Sequence, residues 1–82
     1  MRPLVVTFYT RLGCALCSEA IKIVDSEVKR ASMALTVIDV DNTPRLADAY
    51  GTRVPVVLGP NQRIIAEGRI NKRQLRKALR KF

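Results

Sequence analysis

The sequence predicts an α/β domain with a four-stranded mixed sheet and helices on both faces, in the order βαβ-α-ββ-α. Three observations carry this expectation. First, an apolar run rich in β-branched residues, Leu4–Tyr9, is followed by a stretch of helical period and then by a second such run, Leu35–Val40. A strand–helix–strand unit of this kind has parallel strands and a right-handed crossover. Second, Val56–Leu58 and Arg63–Glu67 are separated only by Gly59-Pro60-Asn61-Gln62, a cluster of turn formers. Two strands so joined pair as an antiparallel hairpin. Third, Leu75, Ala78, Leu79 and Phe82 repeat at i, i+3, i+4 and i+7, the pattern of a helix with one core-facing stripe.

Taken in order, Leu4–Tyr9 has apolar residues on both alternating faces, so it is expected to be buried on both sides, with Pro3 at its first position. Thr10-Arg11-Leu12-Gly13 is a short loop in which Gly13 allows a sharp turn. From Cys14 to Ala31, residues Cys17, Ala20, Ile21, Val24, Val28 and Ala31 share one stripe. Glu19, Lys22, Asp25, Ser26, Lys29 and Arg30 lie largely off it, as in an amphipathic helix. Thr43 is the expected N-cap of a short helix, with Pro44 at its first position and Gly51 at its end. Leu46, Ala47 and Tyr50 are its apolar face. Thr52-Arg53-Val54-Pro55 leads into the third strand, and Gly68 breaks the fourth. Asn71 and Gln74 have capping-box spacing for the last helix.

The totals set the class. At 82 residues the chain is one domain, 1–82, and a domain this small buries only about 60–65% of its unfolded surface. Two cysteines are too few for a disulfide-stapled scaffold. No apolar run approaches the roughly 20 residues of a membrane span, and Met1-Arg2-Pro3 opens no signal-like segment. A cytoplasmic, monomeric protein without membrane contact is expected. The net charge of +8, from 15 Lys+Arg against 7 Asp+Glu, can steer acidic partners. The last helix carries Lys72, Arg73, Arg76, Lys77, Arg80 and Lys81 and no acid. Its first reading is a solvated face and its second an acidic protein partner. Nucleic acid is disfavoured, because no aromatics are interleaved with the charges.

Cys14-Ala15-Leu16-Cys17 holds the only two cysteines, at the expected start of the first helix. In a cytosolic βαβ context that spacing points to thiol–disulfide chemistry. With Val54-Pro55 opening the third strand and the element order above, the chain resembles the thioredoxin fold. In size, and in lacking an extra N-terminal strand and helix, it is similar to the glutaredoxins. Among these it resembles a family of very small bacterial glutaredoxin-like proteins. They share a Tyr-Thr-x-x-Gly-Cys-x-x-Cys opening, a Val-Asp-Val-Asp segment and a Tyr-Gly-x-x-Val-Pro-Val-Val segment. The matching stretches here are Tyr9–Cys17, Val37–Asp41 (with Ile38 inserted) and Tyr50–Val57.

The resemblance implies that Cys14 is the exposed nucleophile and Cys17 the resolving thiol. It implies a cis bond before Pro55 that exposes the Val54 backbone to a thiol peptide such as glutathione. Arg11 matches a cation that approaches the glutathione carboxylate, and Gly68 a glycine beside the ligand. The expected partners are disulfide-containing proteins or glutathione mixed disulfides, with no bound cofactor and glutathione as a candidate reductant. The sequence departs from common glutaredoxins in its Ala15-Leu16 centre, its single Gly68 followed by Arg69-Ile70-Asn71, and its lack of tryptophan.

The attacking species is the thiolate. Free N–H groups and the partial positive charge at a helix start lower the thiol pKa of Cys14, and Arg11 is expected to add a full charge. Cys17, on the core-facing stripe, is expected to stay protonated until it attacks the mixed disulfide. Three alternatives remain open at this point. One is a zinc site, which needs four ligands where this chain offers two cysteines and no histidine. Another is an inter-subunit iron–sulfur cluster. The third is a basic adaptor whose cysteines are structural or share a metal across a dimer.

Overall fold

A computed structural model of the chain describes residues 3–82. Strand β1 (Val5–Thr10) is followed by helix α1 (Ala15–Arg30) and strand β2 (Ala34–Asp39). A single 3-10 turn, Val40–Asn42, leads into helix α2 (Pro44–Tyr50). Strands β3 (Val56–Leu58) and β4 (Ile64–Glu67) precede helix α3 (Lys72–Leu79). The sheet order is β2-β1-β3-β4. β1 is parallel to β2 and antiparallel to β3, and β3 and β4 form an antiparallel hairpin with a register shift after Val57. This is the predicted mixed sheet and element order. Among the described residues no helix is long and apolar enough to cross a membrane.

The core lies between the sheet and the α1–α3 layer. Val6, Phe8 and Val57 from the strands meet Cys17, Ala20, Val24 and Val28 of α1, and Leu75 and Leu79 of α3, all of them buried. These are the stripes the helical periods pick out. Side chains alternate across a strand, so Tyr9 stands on the face opposite Phe8. There it stacks on Tyr50 of α2, with ring centroids 4.8 Å apart. Helices therefore occupy both faces, but unevenly, since no residue of α2 is fully buried.

Three expectations are corrected. Two-sided burial of the first strand holds at Val6, Thr7 and Phe8, whereas Leu4 and Val5 are 46% and 40% exposed. The three-residue β3 runs beside only Thr7–Tyr9, so the start of β1 has a neighbour on one side alone. Phe82 is 41% exposed rather than a core residue. α3 ends at Leu79, which takes residue 82 off the helical stripe and lays its ring over Gly59. Gly51 is the C-cap of α2, ending the helix as expected, with φ −54° and ψ −36°, ordinary helical values. Glycine is needed there for space, because a Cβ would lie 2.5 Å from the Ala47 carbonyl oxygen and 2.9 Å from Arg11 Nη1. Finally, the last helix is not a uniformly solvated basic face. Arg76 Nε and Nη2 donate to the Glu27 carboxylate at 2.7 and 3.0 Å, and Glu27 is buried on α1.

The caps follow the sequence more closely. Thr43 occupies the N-cap position of α2 with extended backbone, but its side chain makes no capping bond. Asn71 does cap α3, accepting from the Gln74 N–H at 3.0 Å.

Candidate active site

The site is built where β1 hands over to α1. Gly13 has φ +77°, a left-handed conformation that glycine adopts without the penalty a side chain would bring. That turn delivers Cys14 to the N-cap of α1. Its sulfur accepts the Cys17 N–H at 3.0 Å, one of the N–H groups that a helix start leaves without a partner in the helix. Cys14 is half-buried, while Cys17, one turn in on the core stripe, is 3% exposed. The two sulfurs are bonded to each other, with Cα atoms 5.2 Å apart. The pair thus divides as the helical period predicts, with one sulfur at the rim and one against the core.

Across from Cys14 lies the segment before β3. The Val54–Pro55 peptide is cis, and the Val54 carbonyl oxygen is 4.0 Å from Cys14 Sγ. The Val54 N–H is occupied, donating to the Tyr50 carbonyl at 3.0 Å. Only the carbonyl of Val54 is therefore within reach of the sulfur as an open backbone group. Gly68, at φ +71°, follows β4, and its N–H donates to the Pro55 carbonyl at 2.8 Å. This bond ties the loop after the fourth strand to the Cys14-facing segment. In this way Cys14, Val54, Pro55 and Gly68, far apart in sequence, are joined through one cluster of contacts.

Arg11 is held differently from the sequence expectation of a charge directed to the thiol. Its Nε and Nη2 donate to Asp41 at 3.2 and 2.6 Å, and Nη1 donates to the Gly51 carbonyl at 2.7 Å. The hydrogen bonds to Asp41 raise its pKa above the ordinary guanidinium value. They also pair its charge with a carboxylate. Arg53 is bound in the same way, with two bonds of 3.1 Å to Glu67 and its guanidinium 5.5 Å from the Tyr50 ring. Tyr9 and Tyr50 are half-buried wall residues. Burial first, and the Tyr50 hydroxyl second, push the Tyr9 phenol above its usual pKa.

Asp41, Gly51 and Glu67 are site residues to which the sequence alone assigns no chemistry. Asp41 ends the Val37–Asp41 motif and Gly51 sits inside the Tyr50–Val57 motif, so the signal is present as motif position only. Leu12 and Leu16 likewise carry no sequence signal. They are 90% and 36% exposed and flank the cysteines as an apolar rim. A cavity of about 250 Å³ beside Cys17 is lined by Phe8, Arg11, Leu12, Ile21, Val37 and Asp39, among others. Among the described residues no group of three or more His, Cys, Asp or Glu side chains is placed to hold a metal ion.

A dithiol at a helix N-terminus facing a cis-proline segment, on a sheet of order β2-β1-β3-β4, defines a thioredoxin-fold protein with a redox-type site. Within that class the chain belongs to the glutaredoxin-like family: the profile of the family described as Glutaredoxin-like domain (DUF836) matches residues 5–80. Solved structures agree. A structural-genomics target protein, XcR50 from X. campestris, is 29% identical with a TM-score of 0.75, over 94% of this chain and 97% of its own. Protein Ne2328 from Nitrosomonas europaea is 26% identical with a TM-score of 0.73, over 92% and 89%. A single-site mutant of a thioredoxin from Halobacterium salinarum is 25% identical with a TM-score of 0.71, over 98% of this chain and 74% of its own. Among curated proteins none matches in sequence at a significant level.

Proposed function

We propose that the chain is a dithiol–disulfide oxidoreductase in which Cys14 is the nucleophile and Cys17 the resolving thiol. The observation that carries this reading is the asymmetry of the pair. Cys14 Sγ is at the rim, accepting the Cys17 N–H at 3.0 Å, while Cys17 is 3% exposed. In the reduced protein the same N–H stabilises a thiolate on Cys14. That thiolate attacks a substrate disulfide, forming a Cys14–substrate bond and expelling one substrate thiolate. Cys17, losing its proton to the departing sulfur, then attacks Cys14. The second substrate thiol leaves, and the Cys14–Cys17 disulfide forms. Two electrons pass from the protein dithiol to the substrate, and two equivalents of an external thiol, oxidised to their disulfide, restore the dithiol.

In this reading Val54 and Pro55 are the substrate-facing wall, with the Val54 carbonyl as the backbone acceptor nearest the reacting sulfur. Gly68 keeps the neighbouring loop low. Arg11 acts as a positioning residue for the Cys14 loop, through Asp41 and Gly51. No bound cofactor is required. Disulfide-containing proteins and glutathione mixed disulfides are both candidate substrates for the reaction.

The test is a pair of variants with a generic protein disulfide. Cys14→Ser is expected to abolish reduction without unfolding the domain. Cys17→Ser is expected to stall at a mixed disulfide on Cys14, visible by mass spectrometry. Alkylation of the reduced protein should label Cys14 first, with a pH midpoint below that of a free thiol. Full activity in Cys14→Ser, or equal labelling of both thiols, would refute the proposal.

A further inference from the structure

A groove runs from the dithiol end of α1 toward α3. Its first part, about 470 Å³, is bounded by Leu16, Glu19, Ile23, Arg69 and Ile70, and Asn71 closes it. Asn71 also lines a wider trough of about 760 Å³, walled by Lys72, Arg73, Lys77 and Arg80. A path of mixed character, with Leu16, Ile23 and Ile70 beside one acid and one arginine, therefore opens onto a basic one. Arg69, Lys72, Arg73, Lys77, Arg80 and Lys81 are all exposed. None of the six is in an ion pair among the described residues. Four of the seven carboxylates are already held, in the pairs Asp25–Lys29, Glu27–Arg76, Asp41–Arg11 and Glu67–Arg53. Open positive charge is thus concentrated on α3 and the residues flanking it, with Arg69, Lys72, Arg73, Lys77 and Arg80 lining the groove.

The surroundings narrow the class of ligand. α3 turns its apolar residues, Leu75 and Leu79, into the core, so it has no apolar face to lay in a membrane surface. It carries no aromatic residue on which bases could stack. A tripeptide thiol reaches at most about 10 Å. α3 alone is about 12 Å long, and it begins beyond the first part of the groove. The two arginines nearest the cleft, Arg11 and Arg53, are paired with Asp41 and Glu67, and of the six open cations only Arg69 borders the first part of the groove, so a ligand that small meets little of the positive charge that α3 carries. We infer that the substrate of this dithiol is a protein disulfide with an apolar residue beside its cystine and an acidic segment that lies along α3. The inference rests on the dithiol reading and names the substrate class for that site.

The probe is a synthetic disulfide-bridged peptide with a leucine beside the cystine and a run of glutamates further along, compared with its glutamine counterpart. Binding is read by fluorescence anisotropy of the labelled peptides, and reduction by mixing each with the fully reduced protein in a single turnover. In low salt the glutamate peptide is expected to bind and react at least about tenfold better than the glutamine one. The advantage should fall to about twofold or less in roughly 0.5 M salt. The triple variant Arg73→Glu/Lys77→Glu/Arg80→Glu changes exposed residues outside the redox site. It should lose the advantage while reducing the glutamine peptide at the parent rate. Equal treatment of the two peptides, or a preference that survives the triple variant, would overturn the inference. So would tighter binding of a single-stranded oligonucleotide than of the glutamate peptide. Failure to reduce either peptide while binding stays charge-selective would overturn the dithiol reading, and with it the assignment of the bound chain as a substrate.

Discussion

Replacing Arg76 by methionine removes the partner of Glu27, the one carboxylate buried among the described residues. Glu27 is 2% exposed, and its two oxygens accept from Arg76 at 2.7 and 3.0 Å. Removing one member of a fully buried pair costs ~3–5 kcal/mol. Here the Arg76 side chain is 32% exposed, so water reaches part of the vacated space and the expected cost of stranding Glu27 is ~2–3 kcal/mol. A domain of 82 residues is held by roughly 4–12 kcal/mol in all, so the loss is a large share. It corresponds to a fall in Tm of about 10–20 °C.

The pH dependence separates this cause from simple loss of packing. In the parent protein, hydrogen bonding from Arg76 holds the Glu27 carboxyl below its ordinary pKa, and this outweighs the opposing effect of burial. A depressed carboxyl contributes stability that is fully present above its unfolded pKa and is lost as pH falls through its folded value. In Arg76→Met the sign reverses, because an unpaired buried carboxylate takes up a proton more readily than in the unfolded chain. The deficit of the variant should therefore be largest near neutrality and shrink toward about pH 4. Urea titrations followed by circular dichroism at neutral pH and at two steps down to that value measure it directly. The double variant Glu27→Leu/Arg76→Met, which leaves no buried charge, should recover to within about 1 kcal/mol of the parent. A deficit below ~0.5 kcal/mol at neutral pH, or one that is constant with pH, would refute the reasoning.

Three further outcomes follow from the geometry. Gly51→Ala gains helix propensity but drives a methyl into the Ala47 carbonyl and Arg11 Nη1; a net loss of ~1–3 kcal/mol is expected in thermal melts, and a neutral or stabilised variant would mean that the contact relaxes freely. Asn71→Ala removes the bond to the Gln74 N–H and should cost ~1 kcal/mol, with the lost hydrogen-exchange protection confined to the first turn of α3. Asp41→Asn weakens the tie on Arg11; the alkylation midpoint of Cys14 should then move to lower pH as the guanidinium charge is uncovered, and an unchanged midpoint would place Arg11 outside the field of the thiol.

What is legible in the sequence is what periodicity and local turn chemistry encode. The stripe Cys17, Ala20, Val24, Val28 sets which thiol faces the core, and Gly13 and Asn71 mark the starts of their helices. The redox pair can be located because a helix start is a local event. What is not legible depends on distance along the chain. Arg11 reads as a free cation because its partners, Asp41 and the Gly51 carbonyl, lie 30 and 40 residues on and are brought in by the β2 and α2 connections. The same holds for Phe82: the i+7 spacing gives a phase but not the residue at which the helix stops. Glu27 is the instructive case, because its signal is present. It lies three positions after Val24 and four before Ala31, on the buried stripe, where an ionised group is tolerated only with a partner. Of the cations on α3, only Arg76 sits beside Leu75 and one turn from Leu79, close to the face that packs on α1. A charge that breaks an apolar stripe on one helix and a cation at the edge of the stripe on another predict each other, and this complementarity extends a sequence reading from single elements to their docking.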